Sequence, residues 1–216
     1  MDAILALVDC NNFYVSCERA FNAAIHHMPV IVLSNNDGCV VARSNEAKAL
    51  GIKMGTRIFQ CQDLVEQHHI VLFSSNYALY ADLSDRVMAS LNPLSSHVEV
   101  YSIDEAFVDL SHVEPACVQA YGQQIRARVL QYTGIPVSVG IAPSKTLTKI
   151  ATELVKKYPE YQGVLTLAFR LINSAVCLIY SSRYSNYEAM ISRRLLRQLN
   201  NSCQPCASDA RCLFIS

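Results

Sequence analysis

Tyr101-Ser102-Ile103-Asp104-Glu105-Ala106-Phe107-Val108-Asp109 is the stretch whose reading decides the fold. Apolar residues flank its acid doublet, with Val98 and Val100 before it and Phe107, Val108 and Leu110 after it. Such flanks read as two strands. No Gly or Asn at the junction offers a favoured two-residue turn. Two adjacent carboxylates repel, and one drifts toward neutrality unless a positive charge lies between them. Two readings stand: a solvated loop carrying two charges, or half of a divalent-metal site that needs a third carboxylate from elsewhere.

Working outward, Ile4-Leu5-Ala6-Leu7-Val8 is a continuous apolar run, the mark of a strand buried on both faces. Asp9 stands where that strand leaves the core, before a helix beginning at Phe13. It either caps that helix or is a catalytic group at a strand end, where α/β proteins collect them. Pro29–Leu33 reads as a strand, Asn35–Gly38 as a turn, and Ser44 as the cap of a short helix, Asn45–Leu50, stopped by Gly51. Lys53, Gly55 and Arg57 make the next loop basic, and Ile70–Phe73 is another strand. Tyr80, Leu83, Val87 and Leu91 place an amphipathic helix over Asn76–Leu91. Val118, Tyr121, Ile125 and Val129 place a second over Pro115–Tyr132. Pro136–Ile141 is the next strand, and Ser144 caps a third helix. On that helix Lys145, Lys149 and Lys156 fall within about 40° of one another, with Leu147, Ile150, Ala151 and Leu154 expected opposite. The lysine stripe is either a solvated surface or a face for a polyanion.

The order is strand, helix, insertion, helix, strand, strand, helix, strand, helix. Without the insertion, roughly residues 22–75, a β-α-β-β-α-β core remains: an α/β (α+β) ferredoxin-like fold with a split βαβ unit. In that arrangement the first strand and the hairpin can be neighbours, so Asp9 supplies the third carboxylate for Asp104 and Glu105. Three acids on such a sheet, fed by a basic insertion, fit two-metal phosphoryl transfer.

The bulk numbers set limits. The chain has 216 residues, 51% hydrophobic and 17% charged, so it can bury a core. Its net charge of zero is not the footprint of a strong standalone nucleic-acid binder. Nine cysteines without regular spacing, and an N-terminus without a signal-peptide pattern, imply free thiols in a reducing cytoplasm. The longest apolar runs, Ile4–Val8 and Ala175–Tyr180, are too short to span a membrane. From Thr166 onward the composition changes, to six arginines and no lysine, with Glu188 and Asp209 the sole acids.

The words Val8-Asp9-Cys10-Asn11-Asn12-Phe13-Tyr14, Ser34–Arg43, Glu46–Gly55, Phe73–Tyr77, Tyr101–Phe107 and Val139–Ala142, in this order and spacing, resemble the Y-family translesion DNA polymerases. The resemblance is to the UmuC-like branch, the catalytic subunit of bacterial DNA polymerase V, and covers about residues 1–165. It implies a palm over 1-21 and 76-165, inserted fingers over 22-75, and a 166-216 tail outside the family's pattern, partly helical or disordered. Thumb and little finger are absent from the pattern, so the chain reads as a truncated polymerase with an out-of-frame or otherwise non-homologous tail. The resemblance further implies that Asp9, Asp104, Glu105 and the backbone carbonyl of Cys10 hold two Mg²⁺ ions. Tyr14 is then the steric gate against a ribose 2′-hydroxyl, beside Phe13 in the dNTP site. Lys48 and Lys156 grip the triphosphate, with Arg43 nearby. Ala42 and Asn45 depart from the wider family, which places a threonine and a tyrosine there. In the tail, Ile191–Leu199 suggests a short arginine-bearing helix, and Cys203, Cys206 and Cys212 suggest zinc without an evident fourth ligand.

The expected activity is nucleotidyl transfer to a primer 3′-hydroxyl past damaged bases in the SOS response. Implied partners are primer-template DNA, dNTP, a UmuD′-like dimer and RecA, in the cytoplasm and not at a membrane. The alternative is a remnant without synthesis that only binds partners. A nucleotide cyclase, which uses a similar palm, is disfavoured by the words beginning at Ser34.

Overall fold

Residues 3–167 are described by the structure, a computed structural model. The chain forms β1 (Leu5–Cys10), α1 (Phe13–Ala20), β2 (Val30–Leu33), β3 (Val40–Arg43), α2 (Asn45–Ala49), α3 (Gln62–Gln67) and β4 (Val71–Ser74). It continues with α4 (Tyr77–Leu91), β5 (Val98–Val100), β6 (Glu105–Asp109), α5 (Val118–Thr133), β7 (Val137–Ala142), α6 (Lys145–Lys157) and β8 (Val164–Thr166). One sheet has the order β5-β6-β1-β7-β8, and a second, inside the insertion, has the order β3-β2-β4. The first four strands of the larger sheet reproduce the expected split βαβ order. β8 was not expected; it pairs parallel to β7 in the register Val139↔Val164 to Ile141↔Thr166. The strand therefore runs past Leu165, and Leu167 N–H still donates to Ile141 O at 2.8 Å. The helix expected over Ile191–Leu199 and the cysteines at 203, 206 and 212 lie outside the described residues, as does the Ala175–Tyr180 run.

The described residues pack as two compact units: one of residues up to Leu7, Asp109–Gln123 and from Val139 on, the other of Val8–Val108 and Gln124–Ser138. In the second unit the helical spacing of α4 is fully expressed, with Tyr80, Leu83, Val87 and Leu91 all 2% exposed or less. The inserted sheet closes over a small core of Ile31, Val40, Ala47, Ile52 and Ile70. There β2 is antiparallel to β3 and parallel to β4. α3 was missed in the sequence because Gln62–Gln67 offers just Leu64 and Val65 as apolar residues, too few to show a period.

In the first unit α6 is rotated from expectation by one residue. Its buried stripe is Thr148, Ala151, Thr152 and Val155, while Leu147, Ile150 and Leu154 are partly buried against Ala142, Leu165 and Leu167. The two threonines are tolerated because their hydroxyls bond within the helix, Thr148 Oγ1 to Lys145 O at 2.7 Å and Thr152 Oγ1 to Thr148 O at 2.9 Å. Gly140 makes the close approach possible. A Cβ there would lie 2.4 Å from Thr148 O, 2.4 Å from Thr152 Oγ1 and 2.5 Å from Thr152 N.

Candidate active site

The hairpin that carries the acid doublet has a four-residue connection, Tyr101 to Asp104, and not a tight turn. β5 pairs with β6 from Val98↔Val108 to Val100↔Ala106. The N–H groups of Tyr101 and Ser102 both donate to Glu105 O, at 2.9 and 3.1 Å. Ser84 Oγ on α4 donates to Ile103 O at 2.6 Å and ties the loop down. Ser102 Oγ donates to Asp104 Oδ1 at 2.7 Å. Asp104 thus ends the loop and Glu105 begins β6.

β1 brings the third acid. The strand extends two residues beyond the apolar run, so Asp9 lies inside it, 4% exposed, and not past its end. The helix-cap role for Asp9 is excluded, because Asn12 occupies the N-cap of α1. Cys10 N–H donates to Asp104 O at 2.9 Å. That one bond sets the Asp9-Cys10 end of β1 beside the Asp104-Glu105 corner. Asn11 anchors the other side, with its N–H on Pro136 O at 2.9 Å and its Oδ1 accepting from Ser138 Oγ at 2.8 Å.

Among the described residues, no group of three His, Cys, Asp or Glu side chains is arranged as a metal cage. Like charges on neighbouring side chains repel, and Asp104 turns to a local donor, Ser102. The donor set itself is three carboxylates and a strand carbonyl. Its hard oxygens suit a cation such as Mg²⁺, so the residues fit the expected group by chemistry.

Aromatic rings line the same unit. Tyr14 stacks on Tyr80 with centroids 4.2 Å apart and planes 15° from parallel, while Tyr77 meets Tyr14 edge-on at 6.4 Å. Phe13 is buried and its ring lies 5.9 Å from that of Tyr14. Tyr80 is fully buried, and its hydroxyl donates to Glu18 Oε1 at 2.8 Å. Burial raises the Tyr14 hydroxyl above the usual tyrosine range, and the charges of Tyr77, Asp104 and Cys17 add to the effect. Tyr14 therefore feels the field of one of the acids.

Two basic residues of the insertion belong to this unit. Lys48 Nζ donates to Asn12 Oδ1 at 2.5 Å, and Asn12 Nδ2 donates to Asn45 Oδ1 at 3.0 Å. Arg43, on β3, has a buried Nε without a hydrogen-bond partner among the described residues. Lys156 belongs to the other unit, where it faces Glu153 across 3.6 Å. Asn12, Tyr80, Glu18 and Ser102 were not singled out for the site from the sequence. Tyr80 alone carried a usable signal: a tyrosine on the buried face of a helix needs a partner for its hydroxyl.

A split βαβ sheet with acids on two adjacent strands and a small inserted sheet is an architecture of DNA polymerases. The structure is similar to the insertion ternary complex of Dbh DNA polymerase, with a TM-score of 0.70 and 27% identity, over 77% of this chain and 49% of that one. The chain belongs to the impB/mucB/samB (IMS) family, which matches residues 8–153. Protein ImpB of Salmonella typhimurium is 51% identical over 166 residues, 76% of this chain and 39% of the relative. Protein UmuC of Salmonella typhimurium strain LT2 is 48% identical over 167 residues, 76% of this chain and 40% of the relative. The chain thus spans about two fifths of the length of these curated relatives. No helix among the described residues is long and apolar enough to cross a membrane.

Proposed function

We propose that residues 1-165 carry the nucleotidyl-transfer centre of a translesion DNA polymerase, with 1-21 and 76-165 as palm and 22-75 as fingers. The observation that supports this reading is the Cys10 N–H bond to Asp104 O, which pairs the backbone of the β1 end carrying Asp9 with that of the loop carrying Asp104. Asp9, Asp104, Glu105 and the Cys10 carbonyl would hold Mg²⁺. Two such ions would lower the charge cost at the attacking 3′-hydroxyl and the leaving pyrophosphate. The chain's own residues do the rest. Lys48 and Arg43 supply positive charge to the triphosphate. The Tyr14 ring, backed by Tyr80 and flanked by Phe13, closes the space that a ribose 2′-hydroxyl needs. A UmuD′-like dimer and RecA are the proposed protein partners, in a cytoplasmic SOS response.

Primer extension by the purified chain, with and without Mg²⁺ and beside Asp104→Ala, tests the reading. Template-directed incorporation that requires both the metal and Asp104 supports it. Incorporation unaffected by Asp104→Ala refutes the site, and no incorporation at all favours a partner-binding chain without synthesis. In an active chain, Tyr14→Ala should admit ribonucleotides; unchanged sugar selection removes Tyr14 as the gate.

A further inference from the structure

Tyr77 and Tyr80 lie three residues apart on α4, so one face of that helix presents both rings. The start of the helix is pinned: Asn76 Oδ1 accepts from Leu79 N–H at 3.2 Å, and Tyr80 N–H donates to Asn76 O at 3.0 Å. The two rings meet Tyr14 of α1 differently. Tyr80 lies under its face, 4.2 Å away with planes 15° apart, while Tyr77 stands edge-on, 6.4 Å away at 79°. Tyr77 is also 6.3 Å from Tyr80, at 87°. Nearly equal distances to both members of a stack put Tyr77 at the side of the pair, not above the Tyr14 face turned away from Tyr80. Burial separates the two arms as well. Tyr80 is 0% exposed and Tyr77 55% exposed, so the Tyr77 ring adds little apolar burial to the core. A single exposed aromatic residue needs no explanation, but one that stands square to two stacked rings does.

We propose that Tyr77 is a positioning residue of Tyr14, the side wall of a two-armed aromatic seat, and through Tyr14 a determinant of sugar selection. This rests on the reading of Tyr14 as the gate. Stacking fixes the height of a ring but resists sliding weakly, because stacked rings accept a range of offsets. A gate excludes a single hydroxyl oxygen, and misplacement by about 1 Å is enough to change what a site accepts. A perpendicular ring at the side blocks the slide that the stack permits. Both arms of the seat stand on one helix, so the ring from α1 meets a floor and a wall held in fixed relation to each other. Tyr80 thus serves the core and the gate together, whereas Tyr77 serves the gate at little benefit to the core.

The test uses the full chain with isotope-labelled tyrosine rings and two readouts. Nuclear magnetic resonance of the ligand-free chain gives the flip rate of the Tyr14 ring and its contact with Tyr80. Calorimetry with Mg²⁺ gives the affinities for dATP and ATP, and hence the sugar preference. Tyr77→Ala should speed the Tyr14 flip and weaken its contact with Tyr80 while the fold stays intact, since the lost ring is more than half exposed. It should reduce the preference for dATP over ATP about fivefold, chiefly by strengthening ATP, as loss of one edge-on aromatic pair allows. Tyr77→Phe keeps the ring and should keep both readouts. In a Tyr14→Ala background, Tyr77→Ala should leave the preference unchanged, because nothing remains to be positioned. An unchanged Tyr14 ring in Tyr77→Ala overturns the proposal. So does a preference that still shifts without Tyr14, or a Tyr77→Phe chain that behaves like Tyr77→Ala. A wild-type chain that does not distinguish dATP from ATP, or binds neither, refutes the gate reading, and the ring readout then still decides whether Tyr77 seats Tyr14.

Discussion

Replacing Gly140 by alanine tests how α6 is seated. The added Cβ would meet two backbone atoms of α6, Thr148 O at 2.4 Å and Thr152 N at 2.5 Å, and the Thr152 hydroxyl at 2.4 Å. Ordinary contact begins near 3.4 Å, so α6 must move away by about 1 Å, because no rotamer change removes a backbone clash. A gap of that size forfeits a quarter to a half of the dispersion energy across the contact. The stripe that would lose it is Thr148, Ala151, Thr152 and Val155. A loss of about 3 kcal/mol is expected, the upper end of the range for overpacking, and a large share of the roughly 5–15 kcal/mol that holds a domain together. Gly122 is the matched control. Its Cβ would meet side-chain methyls, Val164 Cγ1 at 2.6 Å and Ile141 Cδ1 at 3.0 Å, which can turn aside; about 1 kcal/mol is expected there. Urea unfolding of both variants gives the comparison, with amide exchange of α6 as the local readout. If Gly140→Ala costs no more than Gly122→Ala, or leaves exchange in α6 unchanged, the close seating of α6 on β7 is wrong.

Other perturbations bear on the second unit. Tyr80→Phe keeps the ring under Tyr14 but removes the bond to Glu18, and should cost about 1 kcal/mol with sugar selection intact. Tyr80→Ala removes the ring from a fully buried position; it should cost about 3–5 kcal/mol and lower the ratio of dNTP to rNTP incorporation in a primer-extension assay. Arg19 bridges Ile25 O at 3.1 Å, Met28 O at 2.7 Å and Glu46 Oε2 at 2.9 Å. A lysine cannot span all three, so Arg19→Lys should lower stability by about 1–2 kcal/mol in denaturant titration. Burial alone would push Glu46 up, but the Ser44 hydroxyl, its own backbone N–H and Arg19 together hold it below the usual glutamate range. A depressed folded-state value means that its contribution is present above the unfolded value, about 4.3, and is lost as pH falls through the folded value. Thermal melts from neutral to acid pH should therefore decline less steeply for Glu46→Gln than for the natural chain.

Much of this was legible in the residues. The buried run into Asp9, the 3.6-residue spacing of Tyr80, Leu83, Val87 and Leu91, and the strand order all followed from periodicity. The acid doublet drew a site reading because two adjacent acids without a turn residue demand an explanation, and the structure puts them at a four-residue connection between β5 and β6. What escaped was information that a side chain's type does not carry. Thr148 and Thr152 read as polar, but hydroxyls bonded to their own helix behave as packing surface. β8 is three residues long, too short for a period to emerge. Asn12 carried no signal in the sequence; its left-handed backbone and its side-chain partners 33 and 36 residues away are set by the fold.

The Tyr14–Tyr80 stack makes the proposed sugar gate visible to light. The chain has no tryptophan among its 216 residues, so its near-ultraviolet signal comes mainly from tyrosine. Two of those rings lie 4.2 Å apart and nearly parallel, close enough for their transitions to mix. A sugar that settles against Tyr14 would disturb that pair directly. If the proposed gate is right, circular dichroism of the unlabelled protein should follow nucleotide arrival at Tyr14, with the Tyr80 variants as the blank.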